Sequence, residues 1–237
     1  MEAPLETWEW LYLRCGRFTA SENFKLFTGG RRAMTEEELK VEKKAGGTRK
    51  TVDTIFGDTA MGYILQKAAE RLTLQVKEES NFVQTTWGKE QEWLAKEMYE
   101  SRTGYSGDYF GVTNPKFFEY GEYAGFSPDW LSLTDTERRG ADFKCPYNSS
   151  EHIINLLLKD QGDLKNKRWE YYIQIQTTMF MANLDKFDFV SYDGRFIEQK
   201  YKMKVLTVLP DKTIHNEYSI RLEAAVSEMN KIIDSLK

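Results

Sequence analysis

The chain has 237 residues, 41% of them hydrophobic and 14% aromatic, enough to bury a substantial core and to exclude a disordered polymer. Its formal net charge is −4, so the basic balance of a passive nucleic-acid coat is absent, although a local basic groove is compatible with an acidic exterior. Two cysteines, Cys15 and Cys145, are too few for a disulfide framework or a cysteine-bound iron–sulfur cluster, and two histidines disfavour a site built from several imidazoles.

The opening MEAPLETWEW has neither a basic start nor an apolar core, so no signal peptide is expected. No run of about 18 apolar residues occurs, so no membrane span is expected and a reducing cytoplasm is the default compartment. A short helix is predicted over about residues 5–13. In FTASENFKLF, Thr19 and Glu22 match a capping box, which predicts a second helix with Ser21 in its first turn. The stretch Arg31 to Lys50 is polar and basic-rich, and reads as a helix-loop excursion or mobile arm within a single domain over 1–237. A long helix is predicted near 53–72 and another near 87–102, stopping at Gly104. Strands follow near 108–120, 123–127, 130–134 and 140–145, then helices near 149–159 and 166–182. Strands near 186–193 and 200–208 precede a terminal amphipathic helix near 215–236. Helices flanking a run of strands give an α/β or α+β class with a central mixed sheet.

The most informative stretch is AGFSPDWLSLTDTERRGADFKCPY. TDTERRG, between two apolar runs, reads as a hairpin connection. Alternation on the second strand sends Ala141, Phe143 and Cys145 to one face and Asp142 and Lys144 to the other. The hairpin can fold Asp129 back beside Asp142. Two facing carboxylates repel, and a divalent cation removes that cost. Magnesium prefers oxygen donors and keeps room for water and substrate phosphate. A neighbouring lysine can hold or help deprotonate an attacking water. Taken alone, Asp129 reads more often as a turn residue, and Asp-x-Lys as a solvated strand face.

A third acid strengthens the chemical reading. In WGKEQEWLAKEMYE, Glu92, Ala95 and Tyr99 share one helical stripe, bordering an apolar face with Leu94 and Met98, while Glu90 and Glu97 look solvated. RWEYYIQIQTTMFMANL is apolar nearly all round and should be deeply packed. Its Gln174 and Gln176 need partners, either the backbone or a phosphate or water in a site. His152 and His215 read as surface or capping residues.

Four blocks in order, WLYLRCGRFTASE, WGKEQE, FSPD…DFKCPY and YYIQIQ, resemble the lambda-exonuclease and YqaJ-type viral recombinase family of PD-(D/E)xK nucleases. The resemblance runs from about Trp10 to about Met179. It implies a restriction-endonuclease-like α/β core and a Mg2+-dependent exonuclease, with Mn2+ as a substitute and two ions per site. It implies metal ligation by Asp129, Asp142, the Phe143 carbonyl and Glu92, and a water positioned by Lys144. It also implies a 5′-phosphate pocket from Arg14, Ser21, Ser127 and Gln174, with Trp10 against a base or, equally, in the core. Arg offers a forked donor for phosphate, and Ser21 would sit where a helix start favours an anion. Family members degrade one strand of linear duplex DNA from the 5′ end, work with a single-strand annealing protein, and form a ring of three subunits around DNA. A phage- or prophage-encoded protein, or a host interior, fits that role.

The basic arm and Arg138–Arg139 at the hairpin tip are candidate DNA-backbone contacts or ordinary solvated charges. The chain departs from the family at two points: Trp130 stands where Gly usually follows Ser-Pro-Asp, leaving the mouth of the site open to question, and Asp142 stands where the lambda enzyme has Glu. An internal-cutting or branch-specific nuclease of the same superfamily, and a non-catalytic DNA-end-binding module, are the alternatives. The end pocket disfavours the first, and the intact acid–lysine set disfavours the second.

Overall fold

A computed structural model describes residues 8–76, 82–111 and 114–237. The order is α1 (Trp8–Arg14), β1 (Phe18–Thr19), a 3-10 turn (Asn23–Phe27), β2 (Gly30–Ala33), α2 (Glu36–Lys44), β3 (Thr51–Thr54), α3 (Asp58–Thr73) and α4 (Phe82–Thr103). Then come β4 (Asp108–Tyr109), β5 (Phe118–Tyr120), β6 (Ala124–Phe126), β7 (Trp130–Leu133) and β8 (Arg138–Lys144). Helices α5 (Ser149–Leu156), α6 (Gln161–Lys167) and α7 (Trp169–Ala182) lead to β9 (Lys186–Tyr192), a second 3-10 turn (Gln199–Tyr201), β10 (Met203–Val208) and α8 (Lys212–Asp234).

The main sheet runs β10-β9-β8-β7-β4. Only the β8–β9 pair in it is parallel, and α5, α6 and α7 form the crossover that a parallel pair requires. A smaller sheet, β1-β6-β5, shares a core with α3 and α8, and β2-β3 form a separate ladder. The mixed α/β class expected from the pattern is therefore present.

Alternation on β8 is as the sequence predicts. Ala141, Phe143 and Cys145 are buried against Ala95, Tyr99 and Trp130. On α4, Ala95 and Tyr99 are fully buried and Glu90 and Glu97 are exposed, but Leu94 is solvent-facing and not part of the apolar face. Gly104, at φ +72°, takes the left-handed conformation that ends α4. Helix α7 is packed on most sides, as its composition implies.

The predicted N-terminal helix is present from Trp8, and its expected start at residue 5 lies outside the described residues. Several other local expectations are overturned. Thr19 and Glu22 do not form a capping box. Thr19 is held in β1 beside Gly125, Glu22 engages Lys25 at 2.5 Å, and only a five-residue 3-10 turn follows. Ser21 is thus outside any helical first turn. The same signal is real one segment later, where Thr35 and Glu38 make a reciprocal capping box for α2. The Arg31–Lys50 stretch is accordingly a strand–helix excursion that returns through β3, and β3 occupies the start of the long helix expected from residue 53.

Arg138 and Arg139 are not a basic hairpin tip. Arg138 donates to the Asn183 and Ala182 carbonyls at the end of α7. Arg139 is 4% exposed and pairs with Asp188 at 2.7 Å and Glu137 at 2.8 Å. Both histidines are buried and not superficial. His152 Nε2 donates to the Tyr201 carbonyl, and His215 bonds Gln176. Gln176 also donates to the Leu209 carbonyl and accepts from the Asp211 N–H, so it is a structural amide.

Asp188 ties three elements together. It accepts from Tyr99 of α4 at 2.6 Å, Arg139 of β8 at 2.7 Å and Thr207 of β10 at 2.6 Å. Removing a buried partner strands the opposite charge. Asp188→Ala is therefore expected to lower the free energy of unfolding by about 3–5 kcal/mol, read from urea unfolding of the two proteins. A difference below about 1 kcal/mol would show that Arg139 finds water instead.

Candidate active site

The site lies where β7 begins and β8 ends. Trp130 pairs with Ala141 across the hairpin, so Asp129, one residue earlier, comes beside Asp142 and Phe143. The Phe143 N–H donates to Asp129 Oδ2 at 2.6 Å. Lys144 Nζ lies 3.3 Å from Asp142 Oδ2. These contacts bring together Asp129, Asp142, Lys144 and the Phe143 peptide.

Electrostatics show what the arrangement demands. Burial pushes the Asp129 carboxyl well above the ordinary range, and Asp142 and Glu92 push it further the same way. The Phe143 N–H and Lys144 pull it back only in part. Glu92 is half-buried and also raises Tyr109 and Cys145, which places its charge in the same pocket. Burial works against a charged Lys144, but Asp142 and Asp129 outweigh it and hold the ammonium above the ordinary lysine value. The carboxylates thus favour Lys144 as a hydrogen-bond donor.

Gln174, on the packed helix α7, accepts from Lys144 Nζ at 3.2 Å, and the Tyr171 ring lies 5.2 Å from the same nitrogen. Of the two α7 amides left open by the sequence, Gln174 belongs to the site. Tyr171 was not foreseen, although it sits one turn before Gln174 on the same stripe. Tyr109, whose hydroxyl is pushed upward by burial, Glu92 and Asp129, was also missed.

A second group adjoins these residues. Trp10 Nε1 donates to Ser127 Oγ at 3.1 Å, and the Arg14 guanidinium stacks 4.3 Å over the Trp10 ring. Ser127 donates to the Lys116 carbonyl at 2.8 Å and lies two residues before Asp129. Arg14 also lowers the Glu22 carboxyl, so the turn carrying Ser21 is close by. Ser21 itself is exposed, 3.4 Å from the Thr19 hydroxyl. Trp10, Arg14 and Ser127 thus form one cluster, while Gln174 stands with Lys144.

Trp130 does not block the mouth. It is fully buried on the opposite face of the hairpin, packed edge-to-face on Tyr99 with Nε1 bonded to Glu100 at 3.0 Å. Gly107 makes room for it, because a Cβ there would lie 2.6 Å from the indole ring.

Among the described residues no three His, Cys, Asp or Glu side chains are grouped closely enough to cage a metal by themselves. The donor set still fits a hard cation. It consists of oxygens only, with two desolvated, mutually repelling carboxylates, and magnesium is commonly held by one or two carboxylates plus substrate phosphate. Among the described residues no helix is long and apolar enough to cross a membrane.

The YqaJ-like viral recombinase domain model matches residues 9–185. An alkaline exonuclease from Laribacter hongkongensis is 23% identical with a TM-score of 0.68, covering 97% of this chain and 96% of that one. Its complex with dAMP gives 24% identity and a TM-score of 0.69, covering 98% and 96%. A phage-related exonuclease from Haemophilus somnus 129PT is 18% identical with a TM-score of 0.64, covering 93% and 96%. These likenesses carry the fold. No curated protein matches the chain by sequence. With three quarters of its length matched by that model, the chain belongs to the YqaJ-like viral recombinase family.

Proposed function

We infer that the protein is a metal-dependent DNA exonuclease that hydrolyses linear duplex from a 5′-phosphorylated end. The observation that carries the reading is the union of Asp129, Asp142 and a protonated Lys144 at one hairpin, in a chain of this family. Asp129 and Asp142, with Glu92 and the Phe143 carbonyl, would hold Mg2+, with Mn2+ as substitute. The bound cation supplies charge stabilisation for the scissile phosphate and its leaving oxygen.

The chain's own residues do the rest. Lys144, oriented by Gln174, donates a hydrogen bond to the attacking water or to a phosphate oxygen. The water oxygen forms a new bond to phosphorus as the bond to the departing 3′ oxygen breaks, the attacking water giving its proton to solvent and the 3′ oxygen taking one from solvent. Trp10, Arg14 and Ser127 lie beside that centre and suit the terminal phosphate, Arg14 through its forked donors. The product is a 5′ mononucleotide and a shortened strand, and the 3′ strand left behind suits an annealing protein. A homotrimeric ring is the assembly that would give an acidic chain processivity.

Linear, covalently closed circular and 5′-dephosphorylated duplexes test this with Mg2+ or with chelator. Loss of linear duplex alone, slower without the 5′ phosphate and abolished by chelator, is expected. Lys144→Ala should reduce the rate by at least about a hundredfold, the range for a lost transition-state donor. Cleavage of closed circles would favour an internal-cutting nuclease, and DNA binding without hydrolysis would favour an end-binding module.

The carboxylate pair gives an independent readout. A carboxyl whose folded pKa is raised stabilises the fold fully below its unfolded value near 4, and that contribution is lost as pH rises through the folded value. At neutral pH in chelator, Asp129→Asn should therefore raise stability measurably, and the advantage should close as pH falls toward about 4. Mg2+ should raise the melting temperature of the unaltered protein and not of Asp129→Asn. A destabilised Asp129→Asn in chelator would show that the carboxylate is not under strain.

A further inference from the structure

A second cluster gathers where β8 ends and takes no part in the chemistry above. Trp87 lies on α4, five residues before Glu92. Tyr147 lies three residues after Lys144, on the segment that leaves β8. Their rings meet edge-to-face with centroids 6.1 Å apart. The Arg195 guanidinium, from the segment that leaves β9, stacks 4.6 Å over Trp87. β8 and β9 are the parallel pair, so all three residues gather at the strand ends where Lys144 sits.

The arginine is not poised as a phosphate clamp. Asp193, with 2% exposure, takes Arg195 Nε and Nη2 in a fork at 2.8 Å each. Asp193 also accepts the Arg195 N–H and the Ser149 hydroxyl. Arg195 Nη2 reaches the Pro146 carbonyl at 3.2 Å, which ties the guanidinium to the segment carrying Tyr147. The arginine's charge is neutralised and its plane is fixed, so it is held as a cover on one side of Trp87. Tyr147, in contrast, is 52% exposed and stays out of the core. A fixed indole–guanidinium stack presenting a half-exposed phenol is a surface for a flat aromatic ligand.

We propose that Trp87, Tyr147 and Arg195 form a stacking platform for an unpaired nucleobase next to the phosphodiester that is cleaved. The proposal rests on the nuclease reading and adds a base contact distinct from both the carboxylates and the Trp10–Arg14–Ser127 cluster. Every base has a π face, so the platform tolerates sequence and rejects a nucleotide that lacks a base. It also grips DNA without relying on phosphate charge. Asp193 and Ser149 are positioning residues that keep Arg195 flat on Trp87.

The test uses the full chain in chelator with a 5′-phosphorylated duplex carrying 2-aminopurine at its 5′-terminal nucleotide. Binding should quench the 2-aminopurine emission. Tyr147→Ala should remove the quench and weaken binding on the order of tenfold, as loss of one base–aromatic contact does. Tyr147→Phe should keep both. An abasic 5′ nucleotide should weaken binding to the unaltered protein and leave binding to Tyr147→Ala unchanged. Arg195→Gln should weaken binding while the slope of log Kd against log salt stays the same. A drop in that slope of about one would make Arg195 a phosphate contact and overturn the proposal. Equal quenching and affinity in Tyr147→Ala would overturn it as well. Hydrolysis is read separately with Mg2+. Its absence in the unaltered protein defeats the nuclease reading, whereas normal hydrolysis with an indifferent Tyr147→Ala defeats the platform alone.

Discussion

The repulsion between Asp129 and Asp142 in a place with little water is the constraint on which the rest turns. A single protonated lysine faces the pair, and Glu92 adds more negative charge to the same pocket. Carboxylates in that state stay buried only if a proton or a cation joins them. The excess negative charge also decides the role of Lys144. Asp142 and Asp129 hold its ammonium above the ordinary lysine value, which suits it to orient water as a donor. One electrostatic imbalance therefore accounts for the pull on a cation, the state of the lysine and the donor chemistry available to a phosphate.

Holding such groups together requires a stiff frame, and it lies on the far face of β8. Tyr99 packs edge-to-face on Trp130 and Phe143 and bonds Asp188, which also holds Arg139 and Thr207. Glu92 lies two turns before Tyr99 on α4, so the contacts that fix Tyr99 also fix where Glu92 can reach. The hydrogen bond from Trp130 to Glu100 adds a second tie between β7 and the same helix. A side chain that departs from the family's usual glycine thus joins the scaffold and leaves the mouth clear.

Patterns that depend on near neighbours were legible in the sequence. Alternation on β8 separated Asp142 and Lys144 from Phe143, and the Glu92–Ala95–Tyr99 stripe pointed inward as its spacing required. Readings that depend on distant partners were not. Thr19 and Glu22 looked like a helix cap, but pairing with β6 and the pull of Lys25 decided their conformation. Arg139 looked like a basic tip because Asp188, its partner, is 49 positions away and only the β8–β9 pairing brings them together. The same parallel pairing assembles Tyr147 with Arg195, which no local window reveals. Trp130 was legible in principle, since neighbours on a strand face opposite ways and Asp129 faces the site.

Charge distribution sets a further condition on any DNA complex of this chain. Many of its arginines are already committed to carboxylates: Arg31 to Asp53, Arg32 to Glu38, Arg49 to Glu42, Arg71 to Glu122 and Arg17 to Glu119. Exposed pairs of this kind contribute little to stability, but they spend the positive charge that a phosphate track would use. With a net charge of −4, long-range attraction to DNA is weak. On the reading proposed above, recognition would come from short-range contacts with few phosphates, at the Trp10–Arg14–Ser127 cluster and around Lys144, and from flat surfaces that hold bases. A strand end offers these features in one place, with a terminal phosphate and bases free to leave the stack. The interior of a duplex offers neither. An acidic chain that concentrates its recognition this way is suited to ends and poorly suited to gripping a duplex along its length.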